Sequence, residues 1–480
     1  MQLYDKDLLS VQEVRDLVEK AKKAQQEFAL KSQEEVDAIV KSVAEAGVRN
    51  AKRLAKMAHE ETGFGIEADK VIKNVFGSRG VYEAIKDMKT IGVLEVDEEK
   101  KTKKIAIPVG IVAGLIPSTN PTSTAFYKSE IALKGGNAII FSPHPNAKNC
   151  IVEAVKVIRT AIAEAGGNED LVSVITIPTI QATDMLMKHP DVAMILATGG
   201  SAMVRAAYSS GTPAIGNGPA YIEKTADVAL AVKRIMDSKT FDNGTICASE
   251  QSVMCDCDME PAVRVEMEKQ GAYFLNDEQI AKLGKFILRA NGTMNPQIVG
   301  KSAQVIADLA EIEISEGTRV LVAKETGIGF GHPYSNEKLA PILGFYTAEN
   351  YVEICELAQK ILHYEGAGHT FSMHTKDPKI VDYFAARIPA SRIMVNTPSA
   401  LGGIGASTGM LPALTLGCGA IGGSATSENV GPQHLINVRV VAEGLLEMDE
   451  IRKNTEALIA APCCTGSKAA DIDVEMLVNE

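Results

Sequence analysis

An alternation of apolar strands and helices between residues 105 and 198 restricts the fold of this chain more than any other feature. Helical spacing around 126–133, 149–165 and 181–188 separates four apolar runs, which read IVAGLIP, NAIIFSP, LVSVITIP and VAMILAT. Strands that are apolar along their whole length are typical of a parallel sheet with helices on both faces. The pattern predicts an α/β protein whose ligands bind beyond the carboxyl ends of its strands.

Other segments extend this pattern toward both ends of the chain. Apolar positions at helical spacing predict helices over 8–30 and 33–60 and the end of a third helix near residue 84. Two β-rich runs around the charged turn at 97–104 predict a hairpin-like arm, and the later run HLINVRVVAEG predicts a strand that pairs with it. A second alternating set reaches about residue 425, with helices expected near 261–270, 277–290, 301–310 and 349–363.

The length of 480 residues is too great for one compact core. We predict a cofactor-binding domain over residues 1–237, including arm strands at about 91–106, and a catalytic domain over 238–425. Residues 426–447 are expected to return to the cofactor and oligomerisation region, and 448–480 to form a tail. The exposed edges of the arm predict a homodimer or homotetramer, because a partner subunit would cover them.

The composition argues against several classes of function. A net charge of −12 is unsuited to a nucleic-acid surface, since phosphate backbones are bound by clustered Lys and Arg. The charged N-terminus has no apolar signal-peptide core, and no apolar run approaches the ~20 residues of a membrane span. Eight scattered cysteines predict reduced thiols and a cytoplasmic protein. The CxC at 255–257 and the pair at 463–464 lack partner Cys or His residues, so no metal site is expected.

The stretch SKTFDNGTICASEQS, residues 238–252, places Cys247 among small and hydroxylated residues. Such neighbours leave space around the sulfur for a substrate and for backbone N–H groups. A thiolate attacks carbonyl carbon readily, and the resulting oxyanion needs fixed donors. Cys247 is therefore a candidate nucleophile, while the alternative is an ordinary buried cysteine.

Polar or small residues follow three of the predicted strands, where a ligand of a parallel sheet is expected. The third group precedes a predicted helix whose free N–H groups suit a phosphate. A GxGxxG pattern at Gly417, Gly419 and Gly422 lacks a surrounding βαβ unit, so we interpret it as fortuitous. The candidate strand-end residues are Ser118, Thr119 and Asn120, then Ser142, Pro143 and His144, then Gly199 and Gly200.

Together these segments resemble the aldehyde dehydrogenase family, and within it the CoA-acylating branch. The likeness extends to about residue 445 and is greatest to the aldehyde dehydrogenase half of bifunctional aldehyde–alcohol dehydrogenases, without their iron-dependent half. It implies a Rossmann-type cofactor domain, an α/β catalytic domain and a β-arm for oligomerisation. The blocks that carry it are IPSTNPTST, IIFSPHP, ILATGG, AAYSSGTPAIG, SKTFDNGTICASEQS, NEKLAP, GHT, GGIG, TLGCG and SENVGPQHLIN.

The resemblance also implies roles for single residues. Cys247 takes the place of the nucleophile, Asn120 that of the side chain that donates to the oxyanion, and His369 that of the histidine near the thiol. Glu337 matches the glutamate that holds the nicotinamide ribose, although Leu339 and Ala340 replace the usual Phe and Gly after it. The loops at Ser118–Thr119, 142–144 and Gly199–Gly200 correspond to the cofactor site.

A missing acid favours CoA over water as the acyl acceptor. Hydrolytic members of the family carry a glutamate that activates water, but residues 205–222 contain no Asp or Glu. A thiol such as CoA needs less help, because its thiolate is already a strong nucleophile. A hydrolytic enzyme and a non-catalytic scaffold with a docking tail remain the alternatives.

Cofactor and substrate are less closely defined by the sequence. NAD or NADP both remain open, because His144-Pro145 stands where relatives often carry a ribose-binding glutamate. The resemblance implies a short aldehyde such as acetaldehyde, and sulfoacetaldehyde is the alternative. A sulfonate needs a cationic clamp, for which Arg205 and His434 are candidates, with Ile246 as a further pocket residue.

Overall fold

The computed structural model describes residues 5–198, 218–289 and 292–460. The helices are α1 Lys6–Phe28, α2 Gln33–Thr62, α3 Glu67–Val75, α4 Val81–Ile85, α5 Pro121–Lys134, α6 Lys148–Glu164, α7 Ile180–Lys188, α8 Val228–Thr240, α9 Glu260–Lys269, α10 Asp277–Ile287, α11 Ala303–Leu309, α12 Tyr351–Tyr364, α13 Pro378–Ala385, α14 Ser399–Gly403 and α15 Met448–Ala460. The strands are β1 Gly92–Asp97, β2 Thr102–Pro108, β3 Ile111–Ile116, β4 Ala138–Pro143, β5 Val172–Val174, β6 Val192–Ala197, β7 Gly218–Ile222, β8 Glu250–Asp256, β9 Ala272–Phe274, β10 Val320–Lys324, β11 Ile342–Ala348, β12 Gly368–His374, β13 Ala390–Val395 and β14 Ile436–Ala442.

The first sheet is parallel and has the order β5-β4-β3-β6. Its central strands β3 and β4 are buried at every position, which explains their continuous apolar sequence. Helices α1, α2, α5 and α6 contribute to the same apolar core. Helix α2 begins at a capping box in which Ser32 and Glu35 satisfy each other's backbone N–H groups, and it ends at the left-handed Gly63.

The second sheet is also parallel and has the order β13-β12-β7-β8-β11-β10-β9. Strand β8, which follows Cys247, lies between β7 and β11 and is buried throughout. Strand β7, which ends at Ile222, already belongs to this second sheet. The chain therefore enters the second sheet before residue 237, the predicted end of the cofactor-binding domain.

A third sheet has the order β1-β2-β14, so the pairing of the arm with the return strand that the sequence predicts is present. The chain divides into two compact units, residues 1–92 with 107–437 and residues 93–106 with 438–480. Within the second unit, β14 is exposed along most of its length. None of the helices in the described residues combines the length and apolar composition needed to span a bilayer.

Candidate active site

A tight chain reversal directly before β8 carries the candidate nucleophile. Asp242, Asn243 and Gly244 have φ angles of 49°, 52° and 76°, which is an unusual run of left-handed residues. At Gly244 the backbone approaches Ala340 so closely that a Cβ would lie 3.0 Å from the Ala340 carbonyl oxygen. We call residues 241–247 the catalytic turn. Its close contact with Ala340 packs it against the segment that follows Glu337.

Cys247 is a free, partly buried thiol in this turn. Burial raises its pKa to about 12, and the negative charge of Glu337 adds to the increase. Arg392 acts in the opposite direction with a smaller effect. A thiol with so high a pKa is mainly protonated at neutral pH, and it must lose its proton before it can attack a carbonyl.

Asn120 is linked to the catalytic turn through a buried lysine. It follows β3 and caps α5, whose first residue is Pro121, and its own side chain makes no capping bond to the helix. The Lys73 ammonium donates to Asn120 Oδ1 at 2.6 Å and to the Thr245 carbonyl oxygen at 3.0 Å. One cation thus joins the predicted oxyanion donor to the backbone two residues before Cys247.

His369 lies at the start of β12 and is buried. Its Nδ1 is 2.9 Å from Thr370 Oγ1, and its carbonyl oxygen accepts from Arg392 Nη2 at 2.9 Å. Burial, together with the Arg392 charge, lowers the pKa of His369 to about 3. The imidazole is neutral at physiological pH and a weak base, so its assistance in proton movement stays a prediction.

Arg392 occupies the space between His369 and the loop of the GxGxxG pattern. Its Nη1 donates to the Gly417 carbonyl oxygen at 2.6 Å, and its Nη2 lies 3.9 Å from the Cys418 sulfur. The glycine pattern therefore belongs to a loop that binds this arginine, which fits the interpretation of the pattern as fortuitous for nucleotide binding.

Five of the predicted cofactor residues, at 118–119 and 142–144, lie at the carboxyl ends of the neighbouring strands β3 and β4. Ser142 Oγ is 2.7 Å from Thr183 Oγ1, and His144 Nδ1 accepts from the Asn146 N–H at 3.1 Å. Ser118 and Thr119 are partly exposed, and Pro143 is buried. The donors at this edge are hydroxyls and an imidazole, which suit ribose and phosphate oxygens. Gly199, Gly200 and Arg205 lie outside the described residues.

Glu337 is partly buried, and its backbone N–H donates to Glu365 Oε2 at 2.9 Å. The charge of Glu337 also affects the buried Lys239. Burial lowers the pKa of this lysine to about 7, while the charges of Glu250 and Glu337 act to raise it. The Glu337 charge acts to raise the pKa of both Cys247 and Lys239, and its contact with a cofactor ribose stays a prediction.

The two remaining predicted pocket residues differ in their surroundings. Ile246 is 3% exposed and belongs to the apolar core together with Ala400 and Ile404. His434 has partners at both ring nitrogens, because Nδ1 accepts from the Gly431 N–H and Nε2 lies 3.2 Å from Glu428. These contacts favour a structural role for His434 over that of a free sulfonate clamp.

Sequence reasoning missed Lys73, Asp242 and Arg392. Lys73 and Asp242 form a buried ion pair across 169 positions of the chain, which no local pattern reveals. One signal was available in α3, where Lys70 and Lys73 have the i, i+3 spacing that places two side chains on one helix face.

With this geometry established, comparison with known proteins identifies the class. Residues 3–409 match the aldehyde dehydrogenase family. The chain belongs to that family, and the aldehyde-dehydrogenase-like α/β fold predicted from the sequence is confirmed.

Individual relatives are more specific. The chain is 46% identical over 443 residues to the bifunctional aldehyde-alcohol dehydrogenase of Escherichia coli K12, covering 90% of this chain and 50% of that protein. It is 39% identical to the sulfoacetaldehyde dehydrogenase of an Acholeplasma species, with 90% of each covered. The chain thus spans about half the length of the first of these relatives.

Two solved structures have the same fold with a TM-score of 0.91. A probable aldehyde dehydrogenase of Listeria monocytogenes EGD-e is 61% identical, and the match covers 93% of this chain and 100% of that one. An acetylating aldehyde dehydrogenase of Geobacillus thermoglucosidasius is 50% identical, with 93% and 99% covered. These similarities confirm the resemblance to acylating members of the family.

Proposed function

We propose that this chain oxidises a short aldehyde with NAD(P)⁺ and CoA to the acyl-CoA, reversibly. The observation that supports this most strongly is the link between Cys247 and Asn120, because both the Asn120 amide and the catalytic turn bind the Lys73 ammonium. A nucleophile and an oxyanion donor on one rigid support are what acyl chemistry at a carbonyl carbon requires.

The protein's part in the reaction follows from these residues. The Cys247 thiol gives its proton to solvent, with His369 proposed to assist the transfer. The sulfur then adds to the aldehyde carbon, while Asn120 Nδ2 and the Cys247 backbone N–H donate to the oxyanion. A nicotinamide dinucleotide held by Ser142, His144 and Glu337 would supply the acceptor for the hydride of that carbon. The thioester on Cys247 is then cleaved by the CoA thiol, which returns the sulfur of Cys247 and releases the acyl-CoA.

Thiolysis is favoured over hydrolysis by the sequence from Arg205 to Ile222, which carries no carboxylate to activate water. The name of the acetylating relative, which is 50% identical, supports the same choice. Alcohol formation is not proposed, because the match to the bifunctional relative covers only half of that protein.

The donors beyond β3 and β4 fit a nicotinamide dinucleotide. Ser142 and His144 are neutral, and Pro145 stands beside them where a carboxylate would repel a 2′-phosphate. We therefore propose NAD as the cofactor implied by the resemblance, with NADP tolerated. Michaelis constants for the two cofactors test this choice, since discrimination above about 10³-fold against NADP would require an acid at this edge.

Acetaldehyde is the proposed substrate, and sulfoacetaldehyde is the alternative because a relative 39% identical is named for it. The partners of both His434 ring nitrogens weigh against a sulfonate clamp at that residue. The ratio of kcat/KM for the two aldehydes decides between them.

We further propose a cytoplasmic homo-oligomer. The six cysteines of the described residues are free thiols, which supports a reducing compartment. β1 and β14 are the edge strands of the arm sheet, and β14 exposes Val438, Val440 and Val441, which supports coverage by a partner subunit. Exposed Met448, Ile451 and Ile459 on α15 support a docking role for the tail.

Substitution of the nucleophile tests the proposed chemistry. Cys247→Ala is expected to abolish aldehyde-dependent cofactor reduction and to leave cofactor binding, followed by fluorescence, unchanged. Cys257→Ala is the matched control, because Cys257 is an exposed free thiol on the same segment of chain. Substantial turnover by Cys247→Ala would overturn the assignment.

A further inference from the structure

Helix α3 has its polar face directed into the protein. Lys70, Lys73 and Asn74 are 1–3% exposed, whereas Ile72 and Val75 on the same helix are 54% and 36% exposed. An ordinary surface helix has the opposite arrangement. Two ammonium groups are thereby brought under the catalytic turn, at the cost of leaving apolar side chains in solvent.

The three donors of the Lys73 ammonium are all used. Its three closest acceptors are Asn120 Oδ1 at 2.6 Å, Asp242 Oδ2 at 2.5 Å and the Thr245 carbonyl oxygen at 3.0 Å, and Thr245 Oγ1 follows at 3.5 Å. A lysine ammonium has three N–H groups and no acceptor. Lys73 therefore binds acceptors from two separate parts of the site, the end of β3 and the catalytic turn.

This arrangement defines which way the Asn120 amide faces. The oxygen and nitrogen ends of an amide have nearly the same shape, so packing alone selects poorly between them. Because Lys73 can only donate, the Asn120 oxygen must face it and the Nδ2 group must face the opposite way. Within the described residues, Nδ2 has one long contact, 3.4 Å to Thr119 Oγ1, and so retains donor capacity.

We propose that Lys73 is a positioning residue that holds the Asn120 amide with its N–H₂ group toward the oxyanion and fixes it relative to Cys247. The proposal rests on the proposed function, in which Asn120 donates to that oxyanion. Loss of the ammonium allows the amide to rotate by half a turn and to present its oxygen, which repels an oxyanion.

Lys70 provides a matched comparison on the same helix. It is as buried as Lys73 and also contacts Asp242 Oδ2, at 3.0 Å. Its other contact is the Thr119 carbonyl oxygen at 3.4 Å, and no hydrogen bond to the Asn120 side chain is present in the described part of the chain. A purely structural role as counter-ion of Asp242 would be shared by both lysines, whereas the positioning role belongs to Lys73.

A double-mutant cycle tests the proposal, with kcat and KM measured for acetaldehyde at saturating NAD⁺ and CoA. We expect Asn120→Ala and Lys73→Met each to lower kcat about 10²-fold, the effect of losing one oxyanion donor. In the Asn120→Ala background, Lys73→Met should lower kcat by less than about threefold further, since effects of residues that act as a unit are not additive. Lys70→Met should retain most of the activity.

Alkylation of Cys247 by iodoacetamide, which forms no oxyanion, should be similar in Lys73→Met and the unmodified protein. If the two substitutions of the cycle lowered kcat multiplicatively, or if Lys70→Met and Lys73→Met lowered kcat equally, the positioning role would be overturned. The proposed function would not be affected by either result. Full activity of Asn120→Ala would instead overturn the proposed site. If Lys73→Met does not fold, Lys73→Gln takes its place, because the Gln side chain keeps an N–H donor. We then expect a loss of kcat smaller than that for Lys73→Met, and no further loss of kcat when Lys73→Gln is added to Asn120→Ala.

Discussion

At the scale of single residues, the protonation of Cys247 is the property with most consequence for reactivity. Burial and the Glu337 carboxylate together raise the pKa of this thiol to about 12. A group whose pKa lies above the ambient pH is mainly protonated, so only a small fraction of Cys247 is thiolate at neutral pH.

The pH dependence of Cys247 alkylation tests that protonation state. Below a pKa of about 12 the thiolate fraction rises about tenfold per pH unit, so the rate with iodoacetamide should increase steadily from pH 7 to 9. The exposed Cys257, measured in the same digest by mass spectrometry, is an internal reference. A rate at Cys247 that does not change between pH 7 and 9 would contradict the raised pKa.

Removing the Glu337 charge should accelerate the same reaction. Glu337→Gln takes away a carboxylate that raises the Cys247 pKa, and one such charge shifts a pKa enough to change the thiolate fraction by roughly 3- to 10-fold. The expected result is faster alkylation of Cys247 at pH 8 with the rate at Cys257 unchanged. A slower rate at Cys247 would contradict the assignment of Glu337 as a charge that raises the Cys247 pKa.

At the scale of elements, the catalytic turn depends on its left-handed residues. Gly244 combines a φ of 76° with a close approach to the Ala340 backbone, so a side chain there is opposed both by conformation and by space. The turn sets the position of Cys247 relative to Asn120, and its distortion should affect activity as well as stability.

Gly244→Ala and Gly166→Ala separate these two effects. Gly166 has almost the same φ, 77°, but among the described residues no atom lies within 4 Å of the position that a Cβ would occupy there. Backbone strain should lower the free energy of unfolding by roughly 1–3 kcal/mol in each variant. The decrease should be larger for Gly244→Ala because of the contact with Ala340. We expect a larger fall in Tm and a large loss of kcat for Gly244→Ala alone; equal falls in Tm and unchanged kcat in both would contradict this account.

The elements that the sequence predicts well are those with strong periodicity. The helices at residues 8–30 and 33–60 and the strands of the first sheet are found close to their expected places, because apolar spacing reports burial directly. The third helix was expected from its end near residue 84, where α4 ends at Ile85, but the beginning of α3 at Glu67 was not predicted because the buried face of α3 is polar. Strand β12 was missed because His369, Thr370 and His374 interrupt its apolar pattern although every position is buried.

The residues alone made Cys247 a candidate nucleophile and Asn120 a strand-end residue, but only the family resemblance predicted that the two act together. Cys247 and Asn120 lie 127 positions apart, and composition gives no reason to bring them together. What the sequence could not provide is the link between them, since Lys73 contributes through contacts that exist only after folding.

At the scale of the whole molecule, the proposed homo-oligomer rests on the arm sheet. Val440 on β14 is 60% exposed, in a strand that also exposes two other valines. Exposed edge strands of this kind are often covered by a second subunit in oligomers.

Val440→Glu should therefore reduce the molecular mass measured by size-exclusion chromatography with light scattering. Val265→Glu is the control, because Val265 is 64% exposed on α9 and the substitution adds the same charge. An unchanged mass for Val440→Glu, or the same decrease for both variants, would contradict a role of the arm in assembly.

The central claim is that this enzyme transfers its acyl group to CoA. The most direct test is the reduction of NAD⁺ by the purified protein with acetaldehyde, in the presence and absence of CoA. Strict dependence on CoA is predicted, because residues 205–222 supply no carboxylate to activate water. Multiple turnovers without CoA would contradict the claim, and would make Glu337 the carboxylate to substitute next as the source of hydrolysis.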